Sequence, residues 1–185
     1  MKNQIAIGVL AYNVADYIEE VLNEIQDFNL KVYIIDDSST DGTSEILESL
    51  KNKFEFKLQK NLKNRGAGYS TKFLIEEALD DGYEFLIKVD GDGQFEKADI
   101  KKIIDLYNKN NYNFIKSNRF WNGGIKGKIP KKRLFGNLFA TILLQIVTGT
   151  NKLYDPLNGL FGVSTEIAKD LDKYYPKRYG YPFYI

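Results

Sequence analysis

Two hydrophobic periods alternate along the first 117 residues, and this limits the fold more than any other feature of the chain. Apolar runs of strand length occupy Ile5–Leu10, Val32–Ile35, Phe54–Leu58, Phe85–Val89 and Asn113–Ser117. Between them, Val14–Phe28, Thr43–Leu50, Ala67–Leu79 and Ala98–Tyr107 carry apolar residues at helical spacing, as with Ile18, Val21, Leu22 and Ile25 in the first. A strand repeats every 2 residues and a helix every 3.6, so a chain that keeps switching between them builds βαβ units. Their crossovers are right-handed, and the expected fold is α/β: a doubly wound, mainly parallel sheet with flanking helices. Beyond residue 117 the pattern changes to a Gly- and Lys-rich loop over Asn118–Pro130, a long apolar helix over Lys131–Val147, a turn-rich stretch and a short strand at Leu160–Val163. There is no internal repeat and no low-complexity linker, so residues 1–185 are expected to form one domain, long enough to bury a core. The chain ends on the aromatic, apolar Tyr179–Ile185, and the natural protein is expected to continue past it.

Composition narrows the chemistry. The chain has no cysteine and no histidine. That excludes disulfides, thiolate metal sites, cysteine nucleophiles and the Ser-His-Asp triad, and removes the commonest general base. What is left is carboxylates, Lys and Arg, hydroxyls, or a hard cation held by oxygen. The net charge of +1 gives no global field for nucleic acid, so no nucleic-acid partner is expected. Met1–Gln4 leads into an apolar strand without a signal-peptide pattern, and no apolar stretch reaches the roughly 20 residues that span a bilayer. The expected location is cytoplasmic.

In open α/β sheets, ligands bind beyond the carboxyl ends of the strands. Each strand here is followed by residues poorly suited to a core: Tyr12-Asn13, then Asp36-Asp37-Ser38-Ser39, then Asn61 and Asn64-Arg65-Gly66-Ala67-Gly68, then Asp90-Gly91-Asp92-Gly93-Gln94, then Ser117-Asn118-Arg119. Asp and Gly also cap helices and make turns, which explains any one of these groups. Acidic residues gathered at one edge of the sheet point instead to a ligand site.

Asp90-Gly91-Asp92 is the sharpest element. Two carboxylates two residues apart, with glycines allowing a tight turn, can share a divalent cation that neutralises a diphosphate. An EF-hand loop opens similarly but needs Gly at its sixth position and Glu at its twelfth, where this chain has Phe95 and Lys101. Phosphatases that form an aspartyl phosphate also use Asp-x-Asp, but on the first strand. Asp36 and Asp37, at a strand end, can accept hydrogen bonds from a base or ribose. Asp41 or Thr43 caps the next helix. Arg65 and Gly66 lead into a helix N-terminus, a natural anion site. Neither the G-x-G-x-x-G dinucleotide fingerprint nor a P-loop is present.

In order, Ala11-Tyr12-Asn13, Ile35-Asp36-Asp37-Ser38-Ser39-Thr40-Asp41-Gly42-Thr43, Asn64-Arg65-Gly66-Ala67-Gly68 and Val89-Asp90-Gly91-Asp92-Gly93-Gln94 resemble the family 2 glycosyltransferases with a GT-A fold. Within that family the chain is most similar to polyprenyl-phosphate sugar transferases of the dolichol-phosphate mannose synthase kind. This closer resemblance rests on Ser117-Asn118-Arg119-Phe120, on Arg133 and Asn137, and on Asp155-Pro156-Leu157-Asn158-Gly159-Leu160-Phe161. The first loop departs from the family at Val14, where an acidic residue is usual. The resemblance implies a UDP- or GDP-linked sugar donor, with Tyr12, Asp37 and Asp36 at base and ribose and Asp90, Asp92 and Gln94 on Mg²⁺ or Mn²⁺. It also implies Arg119 and Arg133 at an acceptor phosphate and Asp155 on the acceptor side. Asp37 is expected to serve the nucleotide, so that its loss leaves the ligand-free fold nearly unchanged.

Two acceptors stay open. A hydroxyl needs a base, for which Asp155 is the best candidate in a chain without histidine. A polyprenyl phosphate is already anionic and needs only positive charge, which Arg119, Lys126, Lys128, Lys131, Lys132 and Arg133 can supply. A domain that binds the donor without completing an acceptor site is a third possibility. With a lipid acceptor, the basic flank of the Leu134–Val147 helix suits a peripheral position on the cytoplasmic membrane face, although core packing accounts for its apolar character equally well.

Overall fold

The structure is a computed structural model. It describes residues 4–118, the helix 131–148 with residue 149, residue 155 and residues 158–167; within the helix, side chains are described for residues 136 and 138–147. The order is β1 (Ile5–Ala11), α1 (Ile18–Ile25), β2 (Lys31–Asp36), α2 (Thr43–Leu50), β3 (Lys57–Lys60), α3 (Ala67–Asp80), β4 (Phe85–Asp90), α4 (Lys97–Asn110), β5 (Phe114–Lys116), α5 (Lys131–Thr148) and β6 (Phe161–Ser164). Short 3₁₀ turns follow α1 and β6.

The six-stranded sheet runs β3-β2-β1-β4-β6-β5. The pairs β1–β2, β1–β4 and β2–β3 are parallel; β6 is antiparallel to both β4 and β5, so β5 points the same way as β4. The expected doubly wound, mainly parallel architecture is present, with one reversed strand inserted near its edge. Alternate side chains feed two cores. Ile5, Ile7, Val9, Phe85, Ile87 and Val89 pack with α1, α2 and α4. Ala6, Tyr33, Ile35, Leu86, Phe161 and Val163 pack with α3. Burial of both faces explains why the central strands read as continuous apolar runs.

Two boundaries differ from the sequence reading. Phe54–Leu58 was expected to be the third strand, but pairing starts only at Lys57, opposite Tyr33. Phe54 is instead buried in the core and Phe56 packs partly buried against it, so their alternation records burial rather than strand pairing. The first helix starts at Ile18 rather than Val14. Asn13 is left-handed at φ +53°, and the N–H groups of Val14 and Ala15 donate to Thr43 Oγ1 (2.9 Å) and Asp41 Oδ2 (3.0 Å). These side chains bind the amides that the sequence pattern assigns to a first helical turn.

Candidate active site at the carboxyl ends of the strands

The parallel register fixes the site before any side chain is considered. Ala11 pairs with Asp36 and Leu10 with Asp90, so the last residues of β2 and β4 flank the end of the central strand β1. Ser117 and Asn118 follow β5 and lie at the same edge. The register places Tyr12, Asp36, Asp37, Asp90 and Asp92 at one edge of the sheet.

Asp36 and Asp37 are consecutive, so they face opposite sides of the sheet. Asp36, on the α2 side, accepts from Ser39 N (3.0 Å) and Ser39 Oγ (2.6 Å), and Ser44 Oγ donates to its other oxygen. Asp37 faces the start of α3. Its Oδ1 accepts from Asn61 Nδ2 (2.7 Å) and Arg65 N (2.9 Å), and its Oδ2 from Gly66 N (2.7 Å). Gly66 presents that N–H at φ +88° and ψ 158°, a conformation closed to residues with a Cβ. Asp37 is 2% exposed. The expectation that the ligand-free fold would tolerate its loss is therefore corrected: this carboxylate ties the β3–α3 loop to the sheet.

The first two loops are laced together. Asn13 N donates to Ser39 Oγ (3.0 Å), and Asn13 Oδ1 accepts from Thr40 N (2.8 Å). Asp41 accepts from Thr43 N, Thr43 Oγ1 and Ala15 N, but the N-cap position of α2 is Gly42 and carries no side-chain cap, so neither Asp41 nor Thr43 is the cap expected from the sequence. Desolvation raises the Asp41 carboxyl, but the hydrogen bonds from Thr43 and Ala15 outweigh it and hold the group below its ordinary range. Tyr12 stands out from this braced rim, 43% exposed. The Arg65 guanidinium lies 4.5 Å above the Tyr69 ring centre, one helical turn on.

At the end of β4, Asp92 Oδ1 accepts from Gln94 N at 3.1 Å, and the Gln94 side chain is exposed. Burial, then the neighbouring Asp90 carboxylate, push the Asp92 carboxyl above its ordinary value. A buried carboxylate beside a second one gains from a shared cation. The pair therefore fits a divalent metal. Among the described residues no cluster of three or more Asp, Glu, His or Cys exists, so diphosphate oxygens and water would have to complete the shell, the arrangement usual for Mg²⁺.

Sequence reasoning missed a third charge. Lys88 is fully buried, and its Nζ pairs with Asp90 Oδ1. Positions 88 and 90 share a sheet face, so a lone lysine two residues before an aspartate in an otherwise apolar strand was the available signal. The buried ammonium halves the negative charge of the Asp90–Asp92 pair and fixes the orientation of Asp90.

Asp155 is fully buried at φ +52°, in the turn that leads back to β6. Asn158 anchors this turn by donating to Ser117 O (3.0 Å) and accepting from Leu160 N (3.1 Å). Gly159 lies against the Lys88–Asp90 pair: a Cβ there would come 1.5 Å from Asp90 Oδ2 and 3.1 Å from Lys88 Nζ. Gly159→Ala should therefore push Asp90 off Lys88, costing about 1–2 kcal/mol and lowering the melting temperature by roughly 2–8 °C. Calorimetry checks this, and an unchanged melting temperature would mean the turn does not rest on Asp90. Arg119, Lys126 and Lys128 lie outside the described residues. Lys131, Lys132, Arg133 and Asn137 belong to the first turns of α5, with side chains outside the described set.

The chain is 28% identical over 180 residues to the UDP-N-acetylglucosamine–dolichyl-phosphate N-acetylglucosaminyltransferase of Methanococcus voltae, covering 88% of this chain and 70% of that protein. It is 24% identical over 174 residues to the dolichol-phosphate mannosyltransferase of Pyrococcus furiosus, covering 91% of this chain and 48% of that one. The fold matches the crystal structure of S. aureus TarS 1–349 in complex with UDP-GlcNAc with a TM-score of 0.63 at 24% identity, over 94% of this chain and 48% of that one. The chain thus spans about half of two of these proteins and under three quarters of the third. Residues 6–172 match the profile of the glycosyl transferase family 2, and a profile match over nearly the whole chain, on a GT-A sheet with its acidic residues at the strand ends, makes the chain a member of that family.

Proposed function

We propose that residues 1–185 form one catalytic domain that transfers a sugar, with inversion, from a UDP- or GDP-linked donor to a polyprenyl phosphate. The observation that carries the donor half is the Asp90–Asp92 pair at the carboxyl end of β4, beside the end of β1. When bound there, Mg²⁺ or Mn²⁺ neutralises the donor diphosphate and makes it a better leaving group. Asp90 and Asp92 hold the cation, Lys88 keeps Asp90 in place, and Gln94 N–H orients Asp92. Tyr12, Asp36, Asp37, Arg65 and Gly66 form the base and ribose end, with Asp37 shaping the Arg65-Gly66 segment rather than reaching outward.

The names of the two relatives that act on dolichyl and dolichol phosphate support the acceptor half. A phosphate oxygen attacks the anomeric carbon, the bond to the donor diphosphate breaks, and its electron pair leaves with the nucleoside diphosphate. No proton has to move, which suits a chain without histidine. Arg119 and Arg133 would position the anionic acceptor.

The second reading is transfer to a carbohydrate hydroxyl with Asp155 as base, favoured by the position of this carboxylate in the turn that lies against Asp90. Paired substitutions in the full protein separate the two. With a phosphate acceptor, Arg133→Ala should cut transfer by at least about 100-fold while donor binding survives. Asp155→Asn should then cost far less than the roughly 100- to 10,000-fold that follows loss of a general base. Asparagine tolerates the left-handed backbone at position 155, so this change tests the charge and not the turn. A dead Asp155→Asn enzyme beside a near-normal Arg133→Ala enzyme would establish the hydroxyl acceptor.

A further inference from the structure

Helix α5 wears its polarity inside out. The outward face carries Leu138, Phe139, Ile142, Leu143, Ile146 and Val147, and exposure reaches 69% at Phe139 and 73% at both Ile146 and Val147. These positions recur at i, i+4 and i+8 in two adjacent rows, forming one continuous stripe down the helix. The opposite face, with Ala140, Thr141, Leu144 and Gln145, is half-buried or buried and includes the polar residues. A helix packed on a core turns its apolar stripe inward, so the core-packing explanation of this segment's hydrophobicity does not fit. Scattered exposed apolar residues are normal on a protein surface, whereas a contiguous stripe marks a contact surface.

Charge identifies what that contact is. From Leu106 to Tyr154 the sequence contains lysines and arginines but no aspartate or glutamate, and α5 itself opens on Lys131-Lys132-Arg133. Elsewhere acidic residues offset the basic ones, leaving the chain at a net charge of only +1. An apolar helix face inside the one extended cationic segment is complementary to an anionic bilayer surface, where apolar insertion and attraction to lipid headgroups add together. The 18-residue helix is about 27 Å long. No helix among the described residues is long and apolar enough to cross a membrane, so α5 would lie in the plane of the interface.

We propose that the outward face of α5 docks the domain onto an anionic lipid surface, with Leu138, Phe139, Ile142, Leu143, Ile146 and Val147 entering the boundary between headgroups and acyl chains. The proposal rests on the polyprenyl-phosphate reading, because a lipid acceptor presents its phosphate at that surface.

The test is flotation of the full protein with phosphatidylglycerol-containing vesicles, compared with pure phosphatidylcholine vesicles and with the Ile142→Glu/Ile146→Glu variant. Wild type should float with the anionic vesicles. The double variant should partition at least about tenfold more weakly, with an unchanged melting temperature because both side chains are exposed. Transfer to a short, water-soluble prenyl phosphate is measured in parallel and should be the same for wild type and variant. Soluble-acceptor transfer without vesicle binding would overturn the docking face and leave the acceptor assignment standing. Vesicle binding with no transfer to any prenyl phosphate would do the reverse. Equal flotation of wild type and variant would overturn the proposal, as would a dimer in light scattering that the variant splits without any change in flotation.

Discussion

Asp37→Ala should be among the most damaging single substitutions for stability in this domain, lowering the melting temperature by roughly 6–12 °C without any ligand present. The carboxylate is 2% exposed and accepts three hydrogen bonds, from Asn61 Nδ2, Arg65 N and Gly66 N. Hydrogen bonds to a charged group contribute about 1.5–3 kcal/mol each, but the freed donors at the loop can partly turn to water. A net loss of about 3 kcal/mol is therefore expected. Asp37→Asn should recover only part of it, because the new amide sets an N–H against the Gly66 N–H that Oδ2 now accepts. Thermal unfolding of both variants checks this; a melting temperature within a degree or so of wild type would return Asp37 to a purely ligand-facing role.

That expectation reverses the sequence reading of the same residue, and the reversal shows where legibility ended. The alternation of periods specified the parallel sheet, and the strand ends specified which polar residues would meet, because strand direction alone decides which edge a loop occupies. Thr43–Leu50 was legible to the residue, since its apolar face and its N-terminal Thr43 agree. Asp37 was not, because sequence shows that a carboxylate sits at a strand end but not whether it faces the cleft or folds back on a neighbouring loop. Lys88 was passed over as one polar letter in an apolar run, although its spacing to Asp90 was visible. The reversed direction of β6 was equally hidden, since a four-residue apolar run carries no sign of orientation. For α5, hydrophobicity alone left core and interface equally open, and only the exposure of one face separates them.

The second large effect concerns the Asp90–Asp92 pair. Asp92→Ala should remove the divalent-ion dependence of donor binding and weaken the nucleotide sugar by about 100-fold or more, equivalent to ~2.7 kcal/mol. The remaining carboxylate, Asp90, is already engaged by the Lys88 ammonium. With Asp92 gone, that ion pair is close to neutral and has little to offer a cation. The ligand-free fold should persist, because what holds the Asp92 side chain among the described residues is a hydrogen bond from Gln94 N in an exposed turn. Scanning calorimetry of the variant verifies that premise independently of binding.

The central claim is that the strand ends hold a nucleotide sugar through a cation on Asp90 and Asp92. Titration calorimetry of UDP-GlcNAc and GDP-mannose into the wild-type protein, with Mn²⁺ and then with EDTA, tests it most directly. One of the two donors should bind with Mn²⁺ and lose nearly all of its affinity in EDTA, and Asp92→Ala with Mn²⁺ should behave like wild type in EDTA. Donor binding of equal strength with metal and with chelator would contradict the account.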